Sequence, residues 1–375
     1  MNVALFFTYG VSLKNWLESG LLDREIEIYE KISQGSDIRF TFITYGSEDD
    51  LEIINDNNSI HVLPIGKYLN SSNRVFYFLK SLIVPFKIKN KLNNIDLIKT
   101  NQLMGSWVAI ILKFIIKKPL IVRTGYDLLE FSIKENKSFI KKTFYYILTY
   151  KSLLFCDKYF VSSNIDVENI KKRFKFINDN KLELRPNWVN IKKVNKEFND
   201  RNGHKLLTIG RLEKQKNYIS LIQSLEKTNL ELDIVGDGSL KDEIKDAAEK
   251  HNVKINFLGV IKNKEILELI ENYKYFILYS KYEGHPKSLI EAMSKGCIAL
   301  VLKNKNIEEI IDHQKNGIII KDENESIVKW LEHFKNNKNE ALNISLEAQN
   351  FVASKFSLDN YIVGEINDYK ELLSD

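Results

Sequence analysis

The sequence has little of what marks a disulfide-rich or metal-binding protein. It contains two cysteines, Cys156 and Cys297, too few for a disulfide framework, and we expect both to be buried free thiols in a reducing cytoplasm. It has no His/Cys ligand set, no Asp-x-Asp pair and no Gly-x-x-x-x-Gly-Lys-Ser/Thr loop. These absences argue against a zinc site, against a diphosphate held through a divalent ion on two aspartates, and against a P-loop.

Long apolar runs are also absent. The segment from Trp107 to Leu112 and others like it are interrupted by lysines, well short of the roughly 20 residues that a spanning helix needs. Residues 1–7 follow a strand pattern and lack the basic region of a signal peptide. We therefore expect a cytoplasmic protein in which no segment crosses a bilayer.

The net charge of +5 is distributed unevenly along the chain. Residues 1–66 carry 4 basic and 11 acidic residues, residues 67–190 carry 23 and 9, and residues 191–375 carry 28 and 30. The basic middle segment is also rich in Phe, Tyr, Ile and Leu. Three explanations stay open: contact with an anionic membrane, a groove for an acidic acceptor, or the surface of a protein from a lysine-rich proteome. Nucleic acid is not an expected partner.

Short apolar segments alternate with helical segments along the whole chain. With 375 residues, of which 44% are hydrophobic, the chain is long for one core and suits two domains. The alternation predicts an α/β fold with parallel, doubly wound sheets. A polar stretch interrupts it, so we predict an N-terminal domain over 1–190, a linker over 191–203 and a second domain over 204–355. A last amphipathic helix is predicted within 356–375.

Two carboxylates eight residues apart, Glu283 and Glu291, bound the most informative stretch of the sequence. Between them, Gly284-His-Pro286 predicts a loop and then a helix that opens near the proline, because proline is tolerated in the first turn of a helix. Glu283 would then lie in the loop over the helix N-terminus, and Glu291 about 7 Å along the helix. Such a pair also arises by chance in a chain with 50 acidic residues.

The N-terminus of this helix is a candidate anion site. Free N–H groups around Lys287, Ser288 and Leu289, together with the helix dipole, favour a phosphate group. A ligand that reaches both glutamates would carry hydroxyls at its ends and phosphate in its middle. A sugar nucleotide fits that description.

Loops that follow strands are the second source of candidates, because ligands of open α/β sheets bind beyond the carboxyl ends of the strands. The loop Gly210–Lys216 places several cations just before a helix, where positive charge opposes the helix dipole unless an anion answers it. Arg211 and Lys216 are the residue types that hold phosphate oxygens. The alternative is a solvated basic helix start.

Four motifs, in this order and spacing, are similar to those of the group 1 (family GT4) retaining glycosyltransferases: Gly210-Arg-Leu-x3-Lys216, Val235-Gly-Asp-Gly-x-Leu240, Phe257-Leu-Gly259 and Ser280-x2-Glu-Gly-x-Pro-x4-Glu-Ala-Met293. The resemblance is dense over about 204–320. Over 1–190 it is thinner, and Arg123-Thr-Gly-Tyr-Asp127 is its clearest trace.

The resemblance implies a GT-B fold, with two Rossmann-like, doubly wound domains facing across a cleft. The first domain would bind the acceptor and the second the nucleotide-sugar donor, and the C-terminal helix would cross back onto the first. No metal and no cofactor are expected, since the nucleoside-diphosphate sugar is a substrate.

The resemblance also implies roles for single residues. Arg211 and Lys216 would hold the diphosphate, Glu291 the ribose hydroxyls and Glu283 the hydroxyls of the transferred sugar. The catalytic candidates are Glu283, Arg211, Lys216 and Asp127, of which Asp127 is the candidate on the acceptor side. The donor-binding candidates are Gly10, Gly210, Gly236, Val260, Gly284, Lys287, Ser288 and Glu291.

The chain departs from the family pattern in two places. Many members carry a histidine where this chain has Thr124-Gly-Tyr-Asp127, which leaves the acceptor-side catalytic contact open. The usual Gly-x-Pro-Val-Val is replaced by Gly296-Cys-Ile-Ala-Leu300, which changes a turn and not the chemistry.

The function predicted at this stage is metal-independent transfer of a sugar to an acceptor hydroxyl with retention of configuration. The acceptor would be a lipid-linked or growing surface glycan, reached from the inner face of an anionic membrane. Two alternatives stay open. One is a nucleotide-sugar epimerase or hydrolase on the same fold, and the other is a non-catalytic scaffold.

Overall fold

The computed structural model describes residues 1–54, 59–178, 180–323 and 325–374. The chain divides into two compact units. Unit 1 comprises Met1–Pro186 together with Ile362–Asp375, and unit 2 comprises Asn187–Tyr361.

Unit 1 is built on one parallel sheet. Its strands are β1 (Asn2–Phe6), β2 (Arg39–Thr44), β3 (Ile60–Pro64), β4 (Leu97–Thr100), β5 (Leu120–Arg123), β6 (Lys158–Val161) and β7 (Leu182–Leu184). Its helices are α1 (Leu13–Glu18), α2 (Leu22–Gly35), α3 (Asp50–Ile53), α4 (Arg74–Ile88), α5 (Ser106–Ile116), α6 (Leu128–Lys134), α7 (Phe139–Phe155) and α8 (Asn164–Arg173).

Unit 2 repeats this plan. Its strands are β8 (Asn202–Ile209), β9 (Glu231–Val235), β10 (Lys254–Gly259), β11 (Tyr273–Leu278), β12 (Ile298–Leu302) and β13 (Ile318–Ile320). Its helices are α9 (Tyr218–Ser224), α10 (Lys241–Lys250), α11 (Asn263–Ile270), α12 (Lys287–Ser294), α13 (Ile327–Asn336) and α14 (Lys338–Phe356). The final helix, α15 (Leu358–Ser374), begins in unit 2 and continues in unit 1.

The order of the strands locates the places where ligands bind. In unit 1 the order is β3-β2-β1-β4-β5-β6-β7, and in unit 2 it is β10-β9-β8-β11-β12-β13. Each sheet is therefore wound outward in both directions, from a switch point between β1 and β4 in unit 1 and between β8 and β11 in unit 2. The predicted pair of Rossmann-like, doubly wound domains is confirmed.

Burial explains why the strands were readable from the sequence. Strands such as β12, with the sequence Ile-Ala-Leu-Val-Leu, are buried along their whole length, as parallel strands covered on both faces must be. The two cysteines are free and buried, and burial raises the pKa of Cys156 and Cys297 to about 12.

The segment 191–203, predicted as a linker, is bonded to unit 2. The Asn195 amide donates to Glu271 Oε2 over 2.9 Å, and the Arg201 guanidinium donates to the Lys295 carbonyl over 2.6 Å. Strand β8 begins within the same segment. The structure therefore assigns 191–203 to unit 2 and places the division after Pro186, because these polar groups find their partners there.

Charged side chains anchor α15 to the sheet of unit 1. Lys99 of β4 forms a buried ion pair with Glu365 and lies 3.2 Å from the Tyr369 hydroxyl. Lys158 of β6 lies 3.4 Å from Asp368, which also accepts from the Arg185 side chain over 2.9 Å. Acidic side chains of the helix thus neutralise basic side chains at the sheet.

Candidate functional site

The switch point of unit 2 brings together the loops that follow β8 and β11. Lys216 Nζ lies 2.6 Å from Glu283 Oε1. The Gln215 side chain donates to the Tyr282 carbonyl over 2.8 Å, and the Lys281 amide donates to the Gln215 carbonyl over 3.0 Å. Two residues that are 67 positions apart are therefore paired by the adjacency of two central strands.

The Lys216–Glu283 pair is largely withdrawn from solvent. Their side chains are 14% and 8% exposed. Removing either one would therefore leave the other as a buried charge without a counter-ion. Glu283 Oε2 also lies 3.4 Å from the Gln215 amide. This arrangement holds the lysine ammonium at one fixed place beside the switch point.

Glycines pack the strand-end loops of unit 2 against one another. Gly236 has φ +135°, and a Cβ there would meet the Gly210 carbonyl oxygen at 2.1 Å. A Cβ at Gly210 would meet Lys216 Cε at 2.8 Å. The close approach of the two loop backbones therefore requires glycine at position 236, whereas at position 210 an added Cβ would displace only the end of the Lys216 side chain.

Glu291 is held toward the loop that follows β10. It is 3% exposed, and its Oε1 accepts from the side chain of Asn263, the first residue of α11, over 2.9 Å. Val260, in the same loop, is 55% exposed and lies beside Gly259, which has φ +70°. The sequence analysis missed Asn263, although it lies three residues after the donor-site candidate Val260.

Helix α12 begins at Lys287 with Pro286 as its N-cap, and no side chain caps it. The helix start predicted near the proline is confirmed. Lys287 Nζ lies 4.9 Å from the centre of the Trp188 ring, Ser288 is half-buried, and Gly284 is buried in the preceding loop. The N-terminal turn of α12 therefore lies in the loop region that also carries Glu283.

Arg211 is exposed in the loop after β8. Within the described ranges, no carboxylate forms an ion pair with it. An exposed guanidinium therefore lies two positions beyond the end of the strand, in the same loop as Lys216.

An aromatic cluster lies at the switch point of unit 1. The Tyr9 ring, in the loop after β1, lies 5.3 Å from Tyr45, 5.5 Å from Tyr77 and 4.9 Å from Trp107. We call these four residues the aromatic cluster. The Tyr45 hydroxyl is buried and has no hydrogen-bond partner among the described residues, and burial raises the pKa of Tyr9 to about 12. The signal in the sequence was the position of Tyr9 in the loop after β1, next to the donor-site candidate Gly10.

Gly10 lies beside this cluster and not in unit 2. It is exposed with φ +78°, and no atom lies within 4 Å of an added Cβ. Its place in the donor site stays a prediction, since it belongs to a different unit from Lys216 and Glu283.

Asp127 is a structural anchor in unit 1. Its Oδ1 caps α6 by accepting from the Leu129 and Glu130 amides over 3.0 and 3.2 Å. Its Oδ2 lies 2.7 Å from Arg173. Both carboxylate oxygens are thus occupied within the fold, and the side chain is 1% exposed.

The described residues contain neither a cluster of metal ligands nor a membrane-spanning helix. In the ranges that the structure describes, no three His, Cys, Asp or Glu side chains are grouped as a metal ion would require. In the same ranges no helix has the length and apolarity needed to pass through a membrane.

The sequence matches a family model described as glycosyl transferases group 1 over residues 189–351. This range contains the Lys216–Glu283 pair, Glu291 and the N-terminus of α12. Residues 189–351 therefore form a group 1 glycosyltransferase domain.

Curated proteins with similar sequences extend the similarity beyond that domain. An uncharacterized glycosyltransferase of Methanocaldococcus jannaschii is 26% identical over 215 residues, and the match spans 55% of each chain. An N-acetylgalactosamine-N,N'-diacetylbacillosaminyl-diphospho-undecaprenol 4-alpha-N-acetylgalactosaminyltransferase of Campylobacter jejuni is 24% identical over 278 residues, which are 71% of this chain and 74% of the relative. The chain thus spans about half the length of the first relative.

A solved structure resembles the whole chain in fold. Anabaena Alr3699/HepE, in complex with UDP and glucose, superposes with a TM-score of 0.76 at 14% sequence identity and covers 98% of this chain and 99% of its own. At this identity the likeness concerns the fold alone. It confirms the predicted GT-B fold class.

Exchanging Asp127 for Asn separates its structural contacts from a catalytic role. Asparagine caps helices as well as aspartate does, so the Asp127→Asn protein folds and loses only the ion pair with Arg173. We expect kcat/KM within about threefold of the parent, and a free energy of unfolding lower by about 1–3 kcal/mol. Transfer kinetics and denaturant unfolding check this, and a loss of activity near 100-fold with an intact fold would make Asp127 catalytic.

Proposed function

We propose that the protein transfers a sugar from a nucleoside-diphosphate sugar to a hydroxyl of a lipid-linked or growing glycan acceptor. The observation that carries the proposal is the buried Lys216–Glu283 pair, 2.6 Å apart at the switch point of a group 1 glycosyltransferase domain. The relative from Campylobacter is named for a diphospho-undecaprenol-linked acceptor, which supports the acceptor class.

The donor is recognised by three kinds of contact. Its diphosphate lies between Arg211, Lys216 and the N-terminus of α12. There the cationic side chains and the free N–H groups stabilise the negative charge of the phosphates. Glu291 accepts hydrogen bonds from the ribose hydroxyls, and the backbone at Val260 faces the base. Glu283 accepts from hydroxyls of the transferred sugar.

The reaction breaks the bond between the anomeric carbon and the diphosphate oxygen. Negative charge builds on that oxygen as the bond breaks, and a preorganised ammonium stabilises it without reorganising at the moment of reaction. Lys216 supplies this charge and Glu283 keeps it in place. Since these side chains already provide positive charge, the transfer requires no divalent metal. Retention of the anomeric configuration is what the resemblance to the group 1 glycosyltransferases implies.

The acceptor sugar binds in unit 1 at the aromatic cluster. Tyrosine and tryptophan rings present flat apolar faces together with polar edges, a combination that suits a pyranose ring. The unpartnered hydroxyl of Tyr45 offers a buried polar group at that place. Both predicted subsites therefore follow the central strands of their own sheets.

Nucleoside diphosphates are expected to raise the melting temperature of the protein. At about 100 times its Kd, a ligand stabilises by about 2.7 kcal/mol, which is a shift of roughly 5–10 °C for a unit of this size. We expect one member of a panel of UDP, GDP, ADP and CDP to give this shift, equally with and without EDTA. Differential scanning fluorimetry measures it.

The matched variants for this experiment are Glu291→Gln and Glu265→Gln. Glu265 is exposed on α11, so its variant keeps the full shift, whereas Glu291→Gln reduces it at the same ligand concentration. Equal shifts in both variants would remove Glu291 from the donor site. Donor turnover in the absence of any acceptor would replace the transferase proposal with a hydrolase or an epimerase.

A further inference from the structure

Helix α4 of unit 1 exposes an apolar stripe. At 100° per residue its members fall within an arc of about 100° on one face of the helix. They are Val75 (64% exposed), Phe76 (59%), Leu79 (47%), Ile83 (53%) and Phe86 (55%). The opposite face, with Ser81, Val84 and Ile88, is buried against the unit. The helix is therefore apolar on both faces, although only one of them has a partner in the described chain.

Helix α7 exposes a second stripe of the same kind. Its members are Phe139 (81%), Ile140 (79%), Tyr146 (43%), Ile147 (50%) and Leu154 (40%). Two adjacent residues that are about four-fifths exposed, one of them an aromatic, are costly to leave in water. Contiguous exposed apolar surface on this scale marks an interaction site.

The two helices are neighbours on one side of the sheet. Both pack against α5, and the Phe78 ring of α4 lies 6.3 Å from the Phe144 ring of α7. Trp107 of α5 lies between them, 5.2 Å from Phe78 and 6.1 Å from Phe144. The stripes therefore belong to one packed layer of unit 1.

The charged side chains on helices α4, α5 and α7 are all basic. Helices α4, α5 and α7 contain no Asp or Glu. Their basic residues are Arg74, Lys80, Lys87, Lys113, Lys141, Lys142 and Lys151. On α4, Lys80 and Lys87 flank the apolar stripe, and both are exposed. A binding partner for this layer must offer both an apolar region that the side chains can enter and negatively charged groups for the lysines.

We propose that the apolar stripes of α4 and α7, with the basic residues of α4, α5 and α7, form a face that docks on an anionic phospholipid bilayer. The apolar side chains enter the boundary between headgroups and acyl chains, and the lysines meet the phosphates. A second copy of this chain fits less well, because it would bring the same set of positively charged side chains together.

Given the proposed function, the position of the face suits a lipid-linked acceptor. Tyr77 of α4 contacts Tyr9 of the aromatic cluster. The proposed acceptor site thus adjoins the helix that would touch the membrane. A glycan on a lipid carrier would reach the cluster while its lipid stays in the bilayer.

Co-sedimentation of the full chain with vesicles tests the face without measuring transfer. At low ionic strength we expect strong binding to vesicles of phosphatidylcholine with about 30 mol % phosphatidylglycerol, and weak binding to phosphatidylcholine alone. High salt reduces the binding, because exposed charges are then screened. Equal binding to both vesicle types at low ionic strength overturns the proposal.

Paired variants locate the surface. Phe139→Ser/Ile140→Ser should lower the partition coefficient about tenfold, because two of the most exposed apolar side chains no longer enter the bilayer. The matched control is Leu346→Ser/Val363→Ser, whose parent side chains are 47% and 60% exposed on α14 and α15, and it should bind as the parent does. Melting temperatures confirm that all variants fold.

The other outcomes are distinguishable. Loss of binding in both double variants, or in neither, would place the membrane contact elsewhere and overturn the assignment. Concentration-dependent dimerisation without vesicle binding, abolished by Phe139→Ser/Ile140→Ser, would make the face a contact between copies. Transfer to a water-soluble glycan is measured separately, so failure of the membrane face leaves the transferase proposal standing, and the reverse holds.

Discussion

Exchanging Lys216 for Met is expected to lower kcat/KM for sugar transfer by about 100- to 1000-fold. The lysine ammonium lies 2.6 Å from Glu283 and is fixed before substrate arrives, so its loss removes charge stabilisation where the diphosphate departs. Methionine keeps most of the side-chain volume and so preserves packing around Gly210. Steady-state kinetics with the donor identified by thermal shift measures the effect.

The control is Lys214→Met, two residues away in the same short 3-10 helix. Lys214 is exposed, and no ion pair holds it within the described ranges, so its variant should keep nearly full activity. Equal losses in the two variants would show a general effect of positive charge and would contradict the specific role of Lys216.

A double variant distinguishes a loss of catalysis from a loss of stability. Lys216→Met leaves the Glu283 carboxylate buried without its cation, which costs stability. The double variant Lys216→Met/Glu283→Gln removes that buried charge and should recover the melting temperature but not the activity. Recovery of activity along with stability would show that the pair serves the fold alone.

The second large effect concerns the stability of unit 1. Lys99 and Glu365 are 1% and 0% exposed, and burial lowers the pKa of Lys99. Removing one partner of such a pair leaves an uncompensated buried charge, so we expect Lys99→Met to lower the free energy of unfolding by about 3–5 kcal/mol. Denaturant unfolding, with hydrogen exchange of the β4 amides as the local reporter, measures this.

The double variant Lys99→Met/Glu365→Met should regain most of that stability, because two apolar side chains of similar volume can replace a buried ion pair. Lys370→Met is the matched control, since Lys370 is an exposed lysine on the same helix and its loss should change little. An unchanged free energy of unfolding in Lys99→Met would show that α15 is not anchored by this pair.

Much of the fold followed from local pattern. Buried parallel strands such as β12 are uninterrupted apolar runs, and the loops and helix starts between them carry glycine, proline and polar residues. The helix start at Pro286 and both Rossmann-like domains were therefore predictable. The segment 191–203 was not, because a polar stretch reads as a linker whether its donors meet water or, as here, unit 2.

The candidate site was predictable as a set of residues but not as an arrangement. Arg211, Lys216 and Glu283 were predicted because motifs place their loops after strands, and Glu291 because it lies in the helix that follows. That Glu291 meets Asn263, and that Asp127 caps a helix and pairs with Arg173, depends on helix positions that sequence spacing does not encode. The aromatic cluster draws its four members from four separate segments of unit 1, so no local pattern could assemble it.

The stretch from Ser280 to Met293 shows where the division lies. The sequence by itself determined a strand, a loop with Glu283, and a helix that carries Glu291, because proline placement and apolar periodicity act over a few residues. Only the tertiary structure decided that Glu283 meets Lys216 and that Lys99 meets Glu365. Those pairings depend on which strands lie side by side and which sheet a helix packs against, and burial of the whole core selects both.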